Sequence, residues 1–303
     1  MLNRNSFSLT KPLLVTAEVL YFWATNSNHD IMKPHHFFIP VLIALLTGCI
    51  AGQADHLAVP EPLGVHQTLF KKAVSVCADP QADSLRVEIS SIVIDRLPDG
   101  LNADSLQQFI RKHSLTTLSS PEPAVDAEAL FNHFSDEFGR VAGQFGGPCH
   151  GWSLNRKIEC LMNAGGLFTV SALDFSYTGG AHPNTVITLQ SYDLTTGQPL
   201  DVSSIIDDDK ADSFKLVVEK TFRQVHDIAD TTSWPLAGFW FEQGFTLPKN
   251  MAITPHGLYL LYNAYEVAPY STGASELMLP AADFEVFVTR EWRSRLQQIR
   301  QGE

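Results

Sequence analysis

Positive charge is scarce in this 303-residue chain: 21 lysines and arginines stand against 33 aspartates and glutamates, for a formal net charge of −12. A nucleic-acid binder needs a basic face to displace the counterions of the phosphate backbone, and without one nucleic acid is excluded as the expected partner. Cysteine is nearly absent as well. There are four, at 49, 77, 149 and 160, and no two are spaced Cys-x-x-Cys, which removes the usual zinc and dithiol motifs. No Gly-x-Ser-x-Gly elbow and no His-Glu-x-x-His pair occurs, so neither a nucleophilic-serine hydrolase nor a zinc peptidase is indicated, and no metal or cofactor is expected. What the chain does have is apolar content, 45% against 18% charged residues, enough to bury a proper core in one large domain or two small ones.

The most specific feature lies near the start. From Met32 the chain reads Met-Lys-Pro-His-His, then the apolar run Phe37 to Leu46, then Thr47-Gly48-Cys49. The run is about half of the roughly 20 residues that a membrane-spanning helix needs, and its order of positive segment, apolar core and small residues is that of an export signal. Leu46-Thr47-Gly48-Cys49 resembles a lipoprotein lipobox, which implies cleavage before Cys49 and a lipid on its thiol. Residues 32–48 are then signal peptide. Residues 1–31 are expected to be a start placed too early or an extension, and 49–82 a tether carrying Pro60 and Pro62 and a first segment. Ile50 follows the cysteine where an aspartate would retain a lipoprotein in the inner membrane, so the outer membrane, facing the periplasm, is the expected address. With Cys49 lipidated, three cysteines remain. Cys149 and Cys160 flank a strand-like stretch and are the candidate disulfide in an oxidising compartment; three unpaired thiols are the alternative.

Behind the tether, apolar periodicity predicts an α+β fold of antiparallel sheets with packed helices, in two lobes, 83–183 and 184–303. Ser84–Ile94 reads as a strand, Asp104–His113 and Asp126–Phe138 as helices. Trp152–Met162, Leu167–Tyr177 and Thr185–Tyr192 then form a meander, with a reversal at Leu194–Gly197. Ser213–Ile228 is the clearest helix. Met251–Thr254 and Leu258–Tyr262 make a hairpin about Pro255-His256-Gly257, and Asp283–Arg300 is read as a closing helical segment. The acidic run Asp207–Asp212 lacks the glycine and glutamate of a calcium loop, and reads better as charge favouring the start of the following helix. His113-Ser114-Leu115-Thr116-Thr117 begins like the His-Ser-x-x-His metal motif of polysaccharide deacetylases, but Thr117 stands at the second ligand position.

Two segments are candidates for function. In Tyr177-Thr178-Gly179-Gly180-Ala181-His182-Pro183-Asn184, paired glycines permit backbone conformations closed to other residues, and Pro183 restricts His182 to extended geometry. Tyr177, His182 and Asn184 are either a polar recognition cluster or, in the architectural reading, side chains bonded to the loop's own backbone with His182 at least partly buried. Together with Tyr192-Asp193-Leu194-Thr195-Thr196-Gly197 and Tyr265-Glu266-Val267-Ala268-Pro269-Tyr270-Ser271-Thr272-Gly273, this loop resembles the RsiV-like domain pair over roughly Leu85 to Val288. That pair occurs in the extracellular part of the sigma-V anti-sigma factor and beside the catalytic domain of a peptidoglycan deacetylase. The resemblance implies a non-catalytic binding module at the envelope, recognising a cationic protein such as lysozyme or a peptidoglycan glycan. The transmembrane helix and catalytic domain that accompany the pair elsewhere have no counterpart in the sequence, so sigma-factor signalling and deacetylation are not carried over. The rival expectation is a peptidoglycan-directed enzyme that gathers His182, Asp193 and Tyr265 in a cleft.

Overall fold

The computed structural model describes residues 59–76, 84–145 and 150–301; Cys49, Cys77, Cys149 and the segments 1–31 and 32–48 lie outside them. The described residues form an α+β fold. The strands are β1 (Gly64–Ser75), β2 (Ser84–Arg96), β3 (Ser153–Ala164), β4 (Leu167–Tyr177), β5 (Asn184–Asp193), β6 (Gln198–Leu200), β7 (Asn250–Thr254), β8 (Gly257–Tyr262) and β9 (Ser275–Pro280). The helices are α1 (Asp104–Leu115), α2 (Ala127–Phe145), α3 (Ala211–Val225), α4 (Ala281–Phe284) and α5 (Arg290–Gln301). Strands β1 to β6 form one sheet in sequence order, and β7 to β9 form a second.

All pairings are antiparallel except β2 with β3, which run parallel. A parallel neighbour requires a long crossover, and here the crossover carries α1 and α2. A side-chain cap starts α2, where the Asp126 carboxylate accepts from the Ala129 N–H at 2.8 Å; ahead of α1, Asn102, one residue before the cap position, accepts from the Asp104 N–H at 2.8 Å. The helices cover one face of the large sheet. On β4, Phe168, Val170 and Ala172 point to that face and pack with Leu106 of α1, whereas Leu167 and Leu173 point to the other, the two-residue alternation of a strand buried on both sides.

The opposite face meets the second sheet. Ile187 and Leu189 of β5 pack on Ala252 and Leu261. A larger core joins α3, through Phe214, Val218 and Phe222 at helical spacing, to the second sheet and to Met162 and Leu167 of the first. Phe222 lies at its centre, with the rings of Trp234, Phe239, Phe241, Phe245 and Tyr262 at 4.9–5.8 Å, edge-on contacts that favour aromatic pairs beyond area alone.

The expected division at 183/184 does not coincide with a change of sheet, since β5 is fully paired to β4, and the described residues group as one compact unit. The segment expected to be tether and first piece holds a strand, β1. As the outermost strand it is exposed on most of its residues, so no alternation marks it. The closing helical segment is broken between α4 and α5, where Ile206 bridges Val288 and the Asp207 N–H donates to the Phe287 carbonyl at 2.9 Å; a strand-like pairing there displaces helix.

Candidate functional site

Two loops carry the motif residues, and the fold brings them together. The first joins β4 to β5. Gly179 and Gly180 both have positive φ, 92° and 99°, and the Tyr177 hydroxyl donates to the Gly180 carbonyl at 3.3 Å. The second runs from Asn263 to Gly273. Asn263 fixes it to the start of β5: its carboxamide oxygen accepts from the Ile187 N–H at 2.7 Å and its nitrogen donates to the Ile187 carbonyl at 3.0 Å. Val267 and Ala268 anchor the middle of this loop in the core, and Pro269 leads into a tight turn closed by the Gly273 N–H on the Tyr270 carbonyl at 3.0 Å.

His182 is where the loops meet. Its ring stacks on Tyr270 with centroids 3.7 Å apart and 16° between planes, and Tyr265 completes the group, 5.6 Å from Tyr270 and 6.3 Å from His182. The Pro183 carbonyl, 3.0 Å from Nδ1, can only accept, so Nδ1 carries the proton. In the neutral ring Nε2 then accepts from the Tyr265 hydroxyl at 3.3 Å. The backbone bond of the architectural reading is thus present, but the expected burial is not: His182 is exposed among the described residues. Asn184 is exposed too. Tyr265 is 55% exposed and has φ 70°, a left-handed backbone that strains a residue with a side chain. Trp240, 49% exposed, flanks the same loop, its backbone N–H donating to the Val267 carbonyl at 2.8 Å.

Asp193 is elsewhere. It ends β5, the strand that His182 precedes, and about ten residues of strand at ~3.3 Å each separate the two ends. Its carboxylate is held by both terminal nitrogens of Arg295, each at 2.8 Å, and accepts from the Thr195 N–H and hydroxyl at 2.8 and 2.7 Å. Burial works to raise the Asp193 pKa, but the Arg295 and Thr195 hydrogen bonds outweigh it and hold the carboxyl below its ordinary value. The cleft of the enzyme reading is therefore not formed from His182, Asp193 and Tyr265. What the two loops present is aromatic faces and hydroxyl edges, suited to stacking on a sugar ring or an organic cation.

Cys160 is a half-buried thiol whose pKa burial pushes up to about 11; its expected partner Cys149 lies outside the described residues. In the acidic run, Asp207 pairs with Lys210 at 3.3 Å, and among the described residues no cluster of His, Cys, Asp and Glu could hold a metal. No helix among them is long and apolar enough to cross a membrane. Sequence reasoning missed Arg156, which is 2% exposed on β3, ion-paired to Asp174 and donating to the Thr116 carbonyl at 3.3 Å. The available signal was a cation at an inward position between Leu154 and Ile158.

Residues 203–282, from the approach to α3 through β9 and including the Tyr265–Gly273 loop, match the model of a family described as "Protein of unknown function (DUF3298)". Among solved structures, a DUF3298 family member from Bacteroides fragilis superposes with a TM-score of 0.59 at 14% identity, covering 79% of this chain and 99% of that one. A DUF3298 family protein from Pseudomonas aeruginosa gives 0.56 at 18%, covering 78% and 97%. At these identities the likeness is one of fold. No curated protein matches the chain.

Proposed function

We propose that this chain is a non-catalytic, RsiV-like recognition module of the bacterial envelope, lipid-anchored through Cys49 on the outer membrane, and that it grips its partner with His182, Tyr265 and Tyr270. The observation that carries the reading is the exposed aromatic stack. Three rings from two separate loops are held together at the surface, those of His182 and Tyr265 exposed and that of Tyr270 half-buried, one at the cost of a left-handed tyrosine backbone, and such strain is retained where surrounding structure and use demand it. The excess of carboxylates, a net charge of −12, favours encounter with a cationic protein. Lysine and arginine side chains of such a partner suit the ring faces, and lysozyme is the named candidate. A peptidoglycan glycan would use the same faces by stacking.

The test is retention of hen lysozyme, and separately of peptidoglycan, by the immobilised full chain. Saturable binding of either, weakened tenfold or more by Tyr270→Ala with unchanged thermal stability, is the expected result. Undiminished binding after both Tyr265→Ala and Tyr270→Ala would move the site elsewhere, and cleavage of peptidoglycan that disappears with His182→Ala would replace recognition by catalysis.

A further inference from the structure

A second site opens on the other side of the large sheet, away from the motif loops. Helix α1 uses Leu106 and Phe109 against the sheet. Its neighbouring stripe, Gln107, Ile110, Arg111, Ser114 and Leu115, falls at i, i+3, i+4, i+7 and i+8 and faces the β1–β2 hairpin without closing on it. The gap is a groove of about 500 Å³, within the ~300–1,000 Å³ of small-molecule sites. Leu69, Phe70, Ile92, Val93, Ile94 and Ile110 form its apolar walls, and Leu69 and Val93 are 62% and 42% exposed. Such side chains on the outer strand β1 and its neighbour β2 are unusual in contact with water unless something covers them.

Two polar features qualify the apolar lining. Ser91 and Ser114, 9% and 4% exposed, bond each other at 2.7 Å. That bond uses one of their two hydroxyl protons, and the other is left to donate. Arg111 is the charged group of the lining; its guanidinium donates to the Ala124 and Val125 carbonyls at 2.8 and 3.3 Å and pairs with no carboxylate among the described residues. An acidic chain thus leaves an uncompensated cation on the rim of an apolar groove. Lys71 and Lys72, on the same hairpin, are both paired, with Glu88 and Glu128.

We propose that the groove binds a free long-chain fatty acid, its alkyl chain between the hairpin and α1 and its carboxylate at Arg111. The apolar walls favour each methylene they remove from water, and the guanidinium fork matches a carboxylate. A peptide fits less well, because its backbone groups would need partners that these walls do not supply.

The experiment titrates the full chain carrying Cys49→Ser, so that no lipid of its own enters, with dodecanoate, dodecan-1-ol and dodecyltrimethylammonium below their aggregation limits. One-to-one binding with dodecanoate preferred at least tenfold is expected. Arg111→Gln should erase that preference, and Val93→Trp should abolish binding of all three with circular dichroism and melting temperature kept. Leu69→Trp, on the neighbouring strand of the same hairpin wall, serves if Val93→Trp fails to fold. Absence of saturable binding, equal affinity for the ammonium, or full binding after the groove is filled in a folded variant would each overturn the proposal. So would binding confined to the Cys49→Ser chain and missing from chain extracted from membranes, which would assign the groove to the protein's own lipid. Lysozyme or peptidoglycan retention should be unchanged by Arg111→Gln, so this result is separable from the aromatic site.

Discussion

Tyr265 holds a left-handed backbone at φ 70° while its ring stands 55% exposed, so the conformation is not repaid by burial. Strain of this kind amounts to roughly 1–2 kcal/mol for a residue with a Cβ, and asparagine tolerates the region better. Tyr265→Asn should therefore leave stability unchanged or raise it by up to about 1 kcal/mol while removing partner binding; a clear loss of stability in urea denaturation would show that the ring packs for structure instead. Gly180 gives the converse. A Cβ there meets nothing within 4 Å, but φ is 99°, so Gly180→Ala should lower stability by about 1 kcal/mol through backbone strain alone. His182→Ala, on an exposed ring, should change stability by less than about 0.5 kcal/mol. The paired glycines announce their conformation in the sequence. Tyr265 does not, because nothing about a tyrosine signals positive φ.

At the scale of elements, the decisive contacts are made by two asparagines. Strand β6 pairs only with Ser191 to Asp193 of β5, and the remaining edge of β5 would be left with open backbone groups. Asn250 accepts from the Leu189 N–H at 2.6 Å and donates to the Ile187 carbonyl at 2.7 Å, and Asn263 holds Ile187 from the other side. Asn250→Ala leaves the part-buried Leu189 N–H unmet and the Ile187 carbonyl with Asn263 as its remaining side-chain donor, which should cost roughly 1–3 kcal/mol. Faster hydrogen exchange at the Leu189 amide, alongside a lower denaturation midpoint, is the check; an unchanged amide would mean that water replaces the side chain. These roles were hidden, since an asparagine at a strand end reads as a turn residue. The meander β3–β5, both crossover helices and α3 were legible, because each shows its own apolar period or stands between glycine turns. Edge strand β1 and short β9 were not, having too little burial or length to impose one. The sequence likewise singled out the two motif loops, but their meeting depends on Asn263 and on a sheet-to-sheet packing that no local pattern encodes.

For the whole molecule, the sheets behave as parts of one body. Met162 and Leu167 of the large sheet share a core with α3 and the second sheet, and Arg295 of α5 grips Asp193 while donating to the Gly165 and Gly166 carbonyls at 3.3 and 2.5 Å. Acid should loosen this body through His113. Burial, aided by the nearby Lys112 and Arg156 charges, lowers its pKa from 6.5 to about 4, so between those values the unfolded chain binds the extra proton. The His113 contribution should be flat above pH 6.5 and fall as pH drops from there to about 4, by roughly 1–2 kcal/mol after discounting for the ring's partial exposure; burial lowers the His226 pKa as well, so His113→Gln should reduce the slope and leave the His226 part, and an unaltered slope would place the titrating group elsewhere. Cooperativity is the further consequence. Trp152 packs on Phe134 and Phe138, 5.6 and 5.5 Å away, in the core under α2, whereas Trp234 packs on Phe222 at 5.8 Å in the other. Variants that keep only one of these tryptophans as a fluorophore, the others replaced by phenylalanine, should share one urea midpoint once corrected for their own stabilities. Arg295→Ala, which breaks a mostly buried pair, should lower the free energy by about 2 kcal/mol in both reporters alike. If Trp152 and Trp234 instead lose signal at separate midpoints, and Arg295→Ala moves only one of them, the chain unfolds as two lobes and the shared core does not couple them.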